Sequence, residues 1–133
     1  QMCIRDRYIN KSLQYLLKND FKAFKNKNSF FAMTGHLIFN QIDKDNTVTH
    51  SRKMIDIIRK KVGFRNLLIS DDLSMKSLKK GLKINTIDTF KAGCNLALHC
   101  NGKLKEMEIV GKNSPLVSKF IIKKTSQFYK ILS

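Results

Sequence analysis

The chain has no tryptophan, one proline and six glycines in 133 residues. A single proline leaves no polyproline linker and no proline-rich recognition segment. The glycines are scattered, so no Gly-rich loop is available to cradle phosphates. Acidic residues are scarce: 10 Asp and Glu stand against 26 Lys and Arg, a formal charge of +16. The three cysteines, Cys3, Cys94 and Cys100, make no disulfide framework and no CxxC pair. Cys94 and Cys100 fall at the two ends of a predicted strand, about 20 Å apart at ~3.3 Å per residue. That separation is too long for a bridge, so a reducing compartment fits and a cytoplasmic location is expected. No apolar run approaches the ~20 residues of a membrane span, and there is no signal-peptide pattern, so no membrane partner is expected.

What is present is a 42% hydrophobic chain, enough for the core of one domain. The basic residues are mostly Lys and are spread along its whole length without a block of like charge. That spread reads as solvated faces rather than a nucleic-acid footprint, and no nucleic-acid partner is expected. The rival reading, a small basic α/β module that binds RNA or DNA, needs Lys and Arg clustered beside stacking aromatics. The Phe residues sit mostly in apolar runs instead. The first seven residues, QMCIRDR, lack an initiator Met and show no periodicity. They resemble adapter-derived translations at the ends of assembled reading frames. The expectation is a non-native terminus over 1–7, missing upstream sequence, and one structural unit over 8–133.

From Tyr8 the pattern turns helical, with Leu13, Leu16, Leu17, Phe21 and Phe24 at three- and four-residue steps and a break at Asn19. FFAMTGH (30–36) reads as a buried strand, and 37–49 as a polar-tipped loop. Ser51 caps a predicted helix over 52–62, stopped by Gly63. NLLIS (66–70) is a second strand, followed by a short helix over 73–80. Asn85 is placed as the cap of the next helix, with Asp88 in its first turn and Gly93 closing it. NLALHC (95–100) is the third strand, and a short helix follows over 103–112. Ser114 and Pro115 open the last helix, which is expected to bury Val117, Phe120, Ile121, Phe128 and Ile131. Helices alternating with strands argue for parallel strands joined by crossovers, in a doubly wound sheet or in a slice of a (β/α)8 barrel.

All three strands end on polar groups: His36, the pair Asp71 and Asp72, and His99 with Cys100. Parallel α/β folds place their chemistry at the carboxyl ends of strands. Asp71 stands first after the strand, where the sheet holds a nucleophile most rigidly. Asp72 suits the cap of the helix that follows. His36 can orient a substrate hydroxyl, tune Asp71, or be a packed histidine. His99 and Cys100 read as structural and His50 as a loop residue. A metal shared by His36, Asp71 and His99 has no supporting ligand spacing, so neither metal nor cofactor is expected. An intact α/β domain using Asp71 for phosphoryl transfer is a second rival, weakened by the missing phosphate loop.

GFRNLLISDDLSMKSL resembles the nucleophile segment of family 3 glycoside hydrolases, and most closely that of their bacterial β-N-acetylhexosaminidases of peptidoglycan recycling. FAMTGHLIF resembles the preceding barrel strand of that family, usually MTAHV. KAGCNLALHCN resembles the following strand, AGCDLLLVCN. The three anchors stand in the family's order over about residues 30–102. The resemblance implies a (β/α)8 TIM barrel, of which this chain carries the C-terminal part, about three β/α units. It implies Asp71 as nucleophile of a retaining reaction, Asp72 as its support, and Met33 and His36 as lining of the sugar pocket. It also implies a carbohydrate substrate, terminal N-acetylglucosamine on a muropeptide. The acid/base histidine of such enzymes lies on a loop resembling KHFPGHGxxxxDSH, upstream of these strands and absent here. The isolated chain is therefore expected to be inactive. A family proline-alanine turn is replaced by DNTVTH (45–50), and the sequence is silent on oligomeric state.

Overall fold

The computed structural model of the chain describes residues 7–25 and 27–132. The expected tail over 1–7 falls outside these residues except for Arg7, which is buried and donates from Nη1 to the Ser77 carbonyl at 2.9 Å.

The centre is a three-stranded parallel sheet. Its strands are β2 (Phe31–Met33), β4 (Leu67–Asp72) and β5 (Leu96–Leu98), in the order β2-β4-β5. The register pairs Phe31 with Leu67, Ala32 with Leu68 and Met33 with Ile69. These are the three strands expected from the apolar runs. A second, two-stranded parallel pair joins β1 (Tyr8–Ile9) to β3 (Ile38–Phe39). The sequence reading has a helix at Tyr8 and a loop at 38–39. Two-residue strands are too short to show a period, so nothing local marks them.

Helices fill the crossovers. α1 (Leu13–Lys18) is capped by Ser12 and ends at Asn19, where a 3₁₀ turn (Asp20–Phe24) takes over, as the expected break requires. α2 (Arg52–Ile57) is capped by Ser51, whose Oγ accepts the Met54 amide at 3.2 Å. It runs on as a π-helical turn (Ile58–Val62) to Gly63 at φ 84°, a left-handed stop that favours glycine. α3 (Leu82–Ala92) starts after Gly81, so the Asn85 cap is corrected: Asn85 lies inside the helix and is buried, and Asp88 pairs instead with Lys80 at 2.8 Å. Gly93 ends α3 at φ 115°, and a Cβ there would stand 3.1 Å from Ile55 Cγ2.

The helix expected over 73–80 is a series of turns, with Met75 N on the Asp72 carbonyl and Leu78 N on that of Met75. Asp72 and Ser74 offer side-chain partners to the local backbone, which competes with helix formation. α4 (Leu104–Asn113) matches expectation. α5 (Lys119–Leu132) begins later than Pro115, with Ser118 Oγ accepting the Ile121 amide; Ser114 instead donates back to the Val110 carbonyl at 2.7 Å. Of the expected buried stripe, Ile121 and Phe128 are partly covered, while Val117, Phe120 and Ile131 are exposed. The helix docks along a narrow strip, with the Phe128 ring 5.2 Å from Phe31 and 5.6 Å from Phe30.

Two apolar clusters carry the fold. Leu68 packs with Ile55, Phe64, Ala92 and Cys94, with Ala32 against them, between the sheet and the helices α2 and α3. Leu16, Phe39, Val48 and Met54 form the second, which ties the β1–β3 pair to α2. Since side chains alternate along a strand, Ala32 and Leu68 face the helices and Phe31, Met33, Leu67 and Ile69 face the other way. Arg59 closes the amino end of the sheet, reaching the Asn66 carbonyl and Asn95 Oδ1 at 2.7 Å each. Among the described residues no helix is long and apolar enough to cross a membrane.

Candidate active site

The carboxyl end of β4 is irregular. Ile69 pairs with Leu96 and Asp72 with Leu98, so β4 spends three steps where β5 spends two. The extra residue is a bulge, a device that re-aims side chains beside functional sites. Ser70, wholly buried, repairs the broken ladder by accepting the Leu98 amide on its Oγ at 2.9 Å.

Asp71 follows. It is half-buried, and its amide donates not to a strand carbonyl but to Thr34 Oγ1 at 3.3 Å. Its Oδ1 accepts the Asp72 amide at 2.8 Å, and among the described residues Oδ2 accepts nothing. One oxygen is thus held and one is open, an arrangement suited to in-line attack on an electrophilic carbon.

Asp72 is used quite differently. Its Oδ1 accepts the Ser74 amide at 2.9 Å, the Ser74 hydroxyl at 2.8 Å and the Cys100 amide at 3.1 Å. The capping role expected of it survives, but on a turn rather than a helix, and it clamps the end of β4 to the end of β5. Partial burial pushes its pKa up, yet the Ser74 and Cys100 hydrogen bonds outweigh this and hold it below the usual carboxylate value. A depressed folded-state pKa contributes stability above the unfolded value of about 3.9, which is lost as pH falls through the folded one. An NMR titration is therefore expected to show the Asp72 carboxyl protonating below that of an unfolded-peptide aspartate. In Ser74→Ala it titrates higher, and acid unfolding sets in at higher pH.

His36 is buried, 4% exposed. Its Nε2 lies 2.9 Å from the Asp72 carbonyl, which can only accept, so the ring carries its hydrogen on Nε2. Nδ1 lies 3.0 Å from Thr49 Oγ1. Thr49 is fully buried and also stands 2.9 Å from Thr34 Oγ1. Neither threonine is marked as functional by the sequence, because a threonine hydroxyl beside an apolar run is as readily a packed side chain. The only trace of Thr49 is the unusual DNTVTH turn. Met33, by contrast, is 57% exposed at the open end of β2.

Neither His99 nor Cys94 hydrogen-bonds to Asp71. His99 pairs with Glu106 at 3.0 Å, the structural role expected of it. Cys94 is packed in the core, where burial pushes its thiol up to about 12. Among the described residues no three His, Cys, Asp or Glu side chains gather as a metal site. An apolar cavity of about 360 Å³ lies between β2 and α2, lined by Ala32, Met54, Ile58 and Phe64, and does not include Asp71.

With this geometry in place, the glycosyl hydrolase family 3 N-terminal domain matches the chain over residues 6–125. The chain belongs to glycosyl hydrolase family 3. A β-hexosaminidase of Psychromonas ingrahamii is 28% identical over 122 residues, which cover 87% of this chain and 34% of that protein. A β-hexosaminidase of Haemophilus influenzae is 33% identical over 92 residues, covering 62% of this chain and 26% of that one. Among solved structures, NagZ of Neisseria gonorrhoeae superposes with a TM-score of 0.72 at 24% identity, covering 90% of this chain and 35% of that one. This family 3 chain thus has the parallel α/β fold of those proteins and spans about a third or less of the length of its curated relatives.

Proposed function

We propose that the chain is the C-terminal part, about three β/α units, of a (β/α)8 TIM barrel, and that the whole barrel is a retaining β-N-acetylhexosaminidase. Its substrate is terminal non-reducing N-acetylglucosamine on peptidoglycan-derived muropeptides, handled in the cytoplasm. The observation that carries this is Asp71, set at the carboxyl end of the central strand with one oxygen held and one open. Parallel barrels work at that end of their strands.

Asp71 attacks the anomeric carbon, the glycosidic bond breaks, and a covalent glycosyl-enzyme forms. Water then displaces Asp71, so the configuration is retained. Asp72 shapes the turn behind it. Met33, exposed beside the strand end, meets the sugar. His36, with both ring nitrogens engaged, forms the wall beneath it. The leaving oxygen needs a proton that, among the described residues, none near Asp71 supplies, and general acid catalysis is worth about 10²–10⁴-fold. The isolated chain accordingly has no useful activity.

The test uses two proteins and a chromogenic N-acetylglucosaminide. The purified chain is expected to give no turnover above background. A chimera carrying residues 30–102 in place of the matching stretch of the Neisseria gonorrhoeae NagZ is expected to be active. A folded but inactive chimera, or robust turnover by the chain alone that Asp71→Ala abolishes, overturns the reading.

A further inference from the structure

The hydrogen bonds around Asp71 form a chain that runs from the Asp71 amide to the Asp72 carbonyl. The Asp71 amide can only donate, so it gives its hydrogen to Thr34 Oγ1. At the far end, Asp72 offers a carbonyl that can only accept, so His36 Nε2 is a donor, and with one hydrogen on the ring Nδ1 is an acceptor. Nδ1 must then take the Thr49 hydroxyl hydrogen, at 3.0 Å. The other acceptor in reach of Thr49, the Gly35 carbonyl, is longer at 3.3 Å. Thr49 has one hydrogen and has given it away, so at 2.9 Å Thr34 must donate to Thr49. Every hydrogen is used once, from Asp71 N through Thr34, Thr49 and His36 to the Asp72 carbonyl.

The two ends of this relay are the amide of Asp71 and the carbonyl of the next residue. It therefore brackets the backbone of Asp71 from both sides. Thr34, His36 and Thr49 are each at most 6% exposed, so water does not substitute readily for any member. The bulge at 70–71 explains why a bracket is needed. Where the register slips, the sheet cannot fix the Asp71 amide by itself.

We propose that Thr49, which stands outside the strands, is a positioning residue for Asp71, acting through Thr34 on one side and His36 on the other. The inference rests on the reading of Asp71 as the reacting carboxylate. Thr49 touches no substrate. Its hydroxyl sets the direction of the relay and so the place of Asp71 in the active-site floor. Side chains that can hydrogen-bond in only one sense lower the number of arrangements available to the loop, which is how a buried polar network fixes geometry.

The experiment uses the ¹⁵N-labelled 133-residue chain and the variants Thr49→Val and Thr49→Ser. Valine keeps the shape and removes the hydroxyl; serine keeps the hydroxyl. In the unmodified chain the His36 ring is expected to show the Nε2–H tautomer with Nδ1 hydrogen-bonded. In Thr49→Val the Nδ1 resonance moves toward that of a free nitrogen, and the Asp71 amide exchanges about fivefold faster, the factor one ordinary hydrogen bond carries. Thr49→Ser restores both. An Asp71 amide unmoved in Thr49→Val overturns the proposal, as does a serine variant that behaves like valine. Should Thr49→Val fail to fold, the Nδ1–H tautomer in the unmodified chain overturns it alone. These signals need no turnover. An inactive chimera with the relay signals intact therefore sinks the glycosidase reading and leaves the relay, and the converse result does the opposite.

Discussion

In the active chimera, Asp71→Ala is expected to lower kcat/KM by about 10⁴-fold or more, while Asp72→Asn retains measurable turnover. The size follows from what is removed. A nucleophile that acts as one member of a unit costs nearly the whole of the catalysis when deleted, about 10⁴–10⁶-fold in other enzymes of covalent mechanism. The contrast between neighbours follows from the geometry. Asp71 leaves Oδ2 open, whereas both oxygens of Asp72 are occupied by Ser74 and one also by the Cys100 amide. An amide at 72 can still accept on its oxygen, so the turn is weakened rather than lost. A slow activated substrate with fluorine at C2 gives a second readout. The unmodified chimera is expected to gain one sugar mass on the peptide containing Asp71, and Asp71→Ala to gain none. Equal losses for the two aspartates would mean that the carboxylates share the chemistry, and the division of labour drawn here would be wrong.

Much of this arrangement is legible in the sequence because it is local. The three apolar runs ending in polar residues locate β2, β4 and β5 and their parallel sense. Ser51, Gly63 and Gly93 mark helix ends through their own backbone chemistry, and all three do so in the structure. Two adjacent carboxylates after LLIS announce a site wherever the strand ends. The failures have physical causes. Residues 73–80 have the composition of a helix, but Asp72 and Ser74 satisfy the backbone with side chains and make turns. Asn85 resembles a cap and is instead buried within α3. The relay is illegible for another reason. Thr34 and Thr49 are fifteen residues apart, and His36 and Asp72 thirty-six. The loop over 37–49 folds Thr49 back onto Thr34, the crossover through α2 brings Asp72 to His36, and no pattern within one segment encodes either meeting.

Leu68→Ala is expected to destabilise the chain by about 3 kcal/mol, within the ~2–5 kcal/mol span for truncating a buried leucine. Leu68 is 1% exposed and is surrounded by Ile55, Phe64, Ala92 and Cys94, residues drawn from α2, α3 and the loops beside them. The substitution removes the side chain through which β4 grips both crossover helices at once, and rigid helices can close the gap only in part. Whole domains are held by ~5–15 kcal/mol, so a loss of this size is a large fraction of the total. Urea unfolding followed by far-UV circular dichroism reads it as a lower midpoint with an unchanged slope. An unchanged midpoint would mean that the helix-facing side of β4 is not the centre of the core. The consequence reaches the site. Asp71 is three residues along the same strand, past the bulge, where the ladder alone does not hold it. The Leu68 contacts anchor the strand from the helix side, and the Thr34–Thr49–His36 relay anchors its end. Loosening the first leaves the position of Asp71 to the relay and to the Ser70 and Asp72 contacts with β5. In the active chimera, Leu68→Ala should therefore lower kcat even under conditions where the protein remains fully folded.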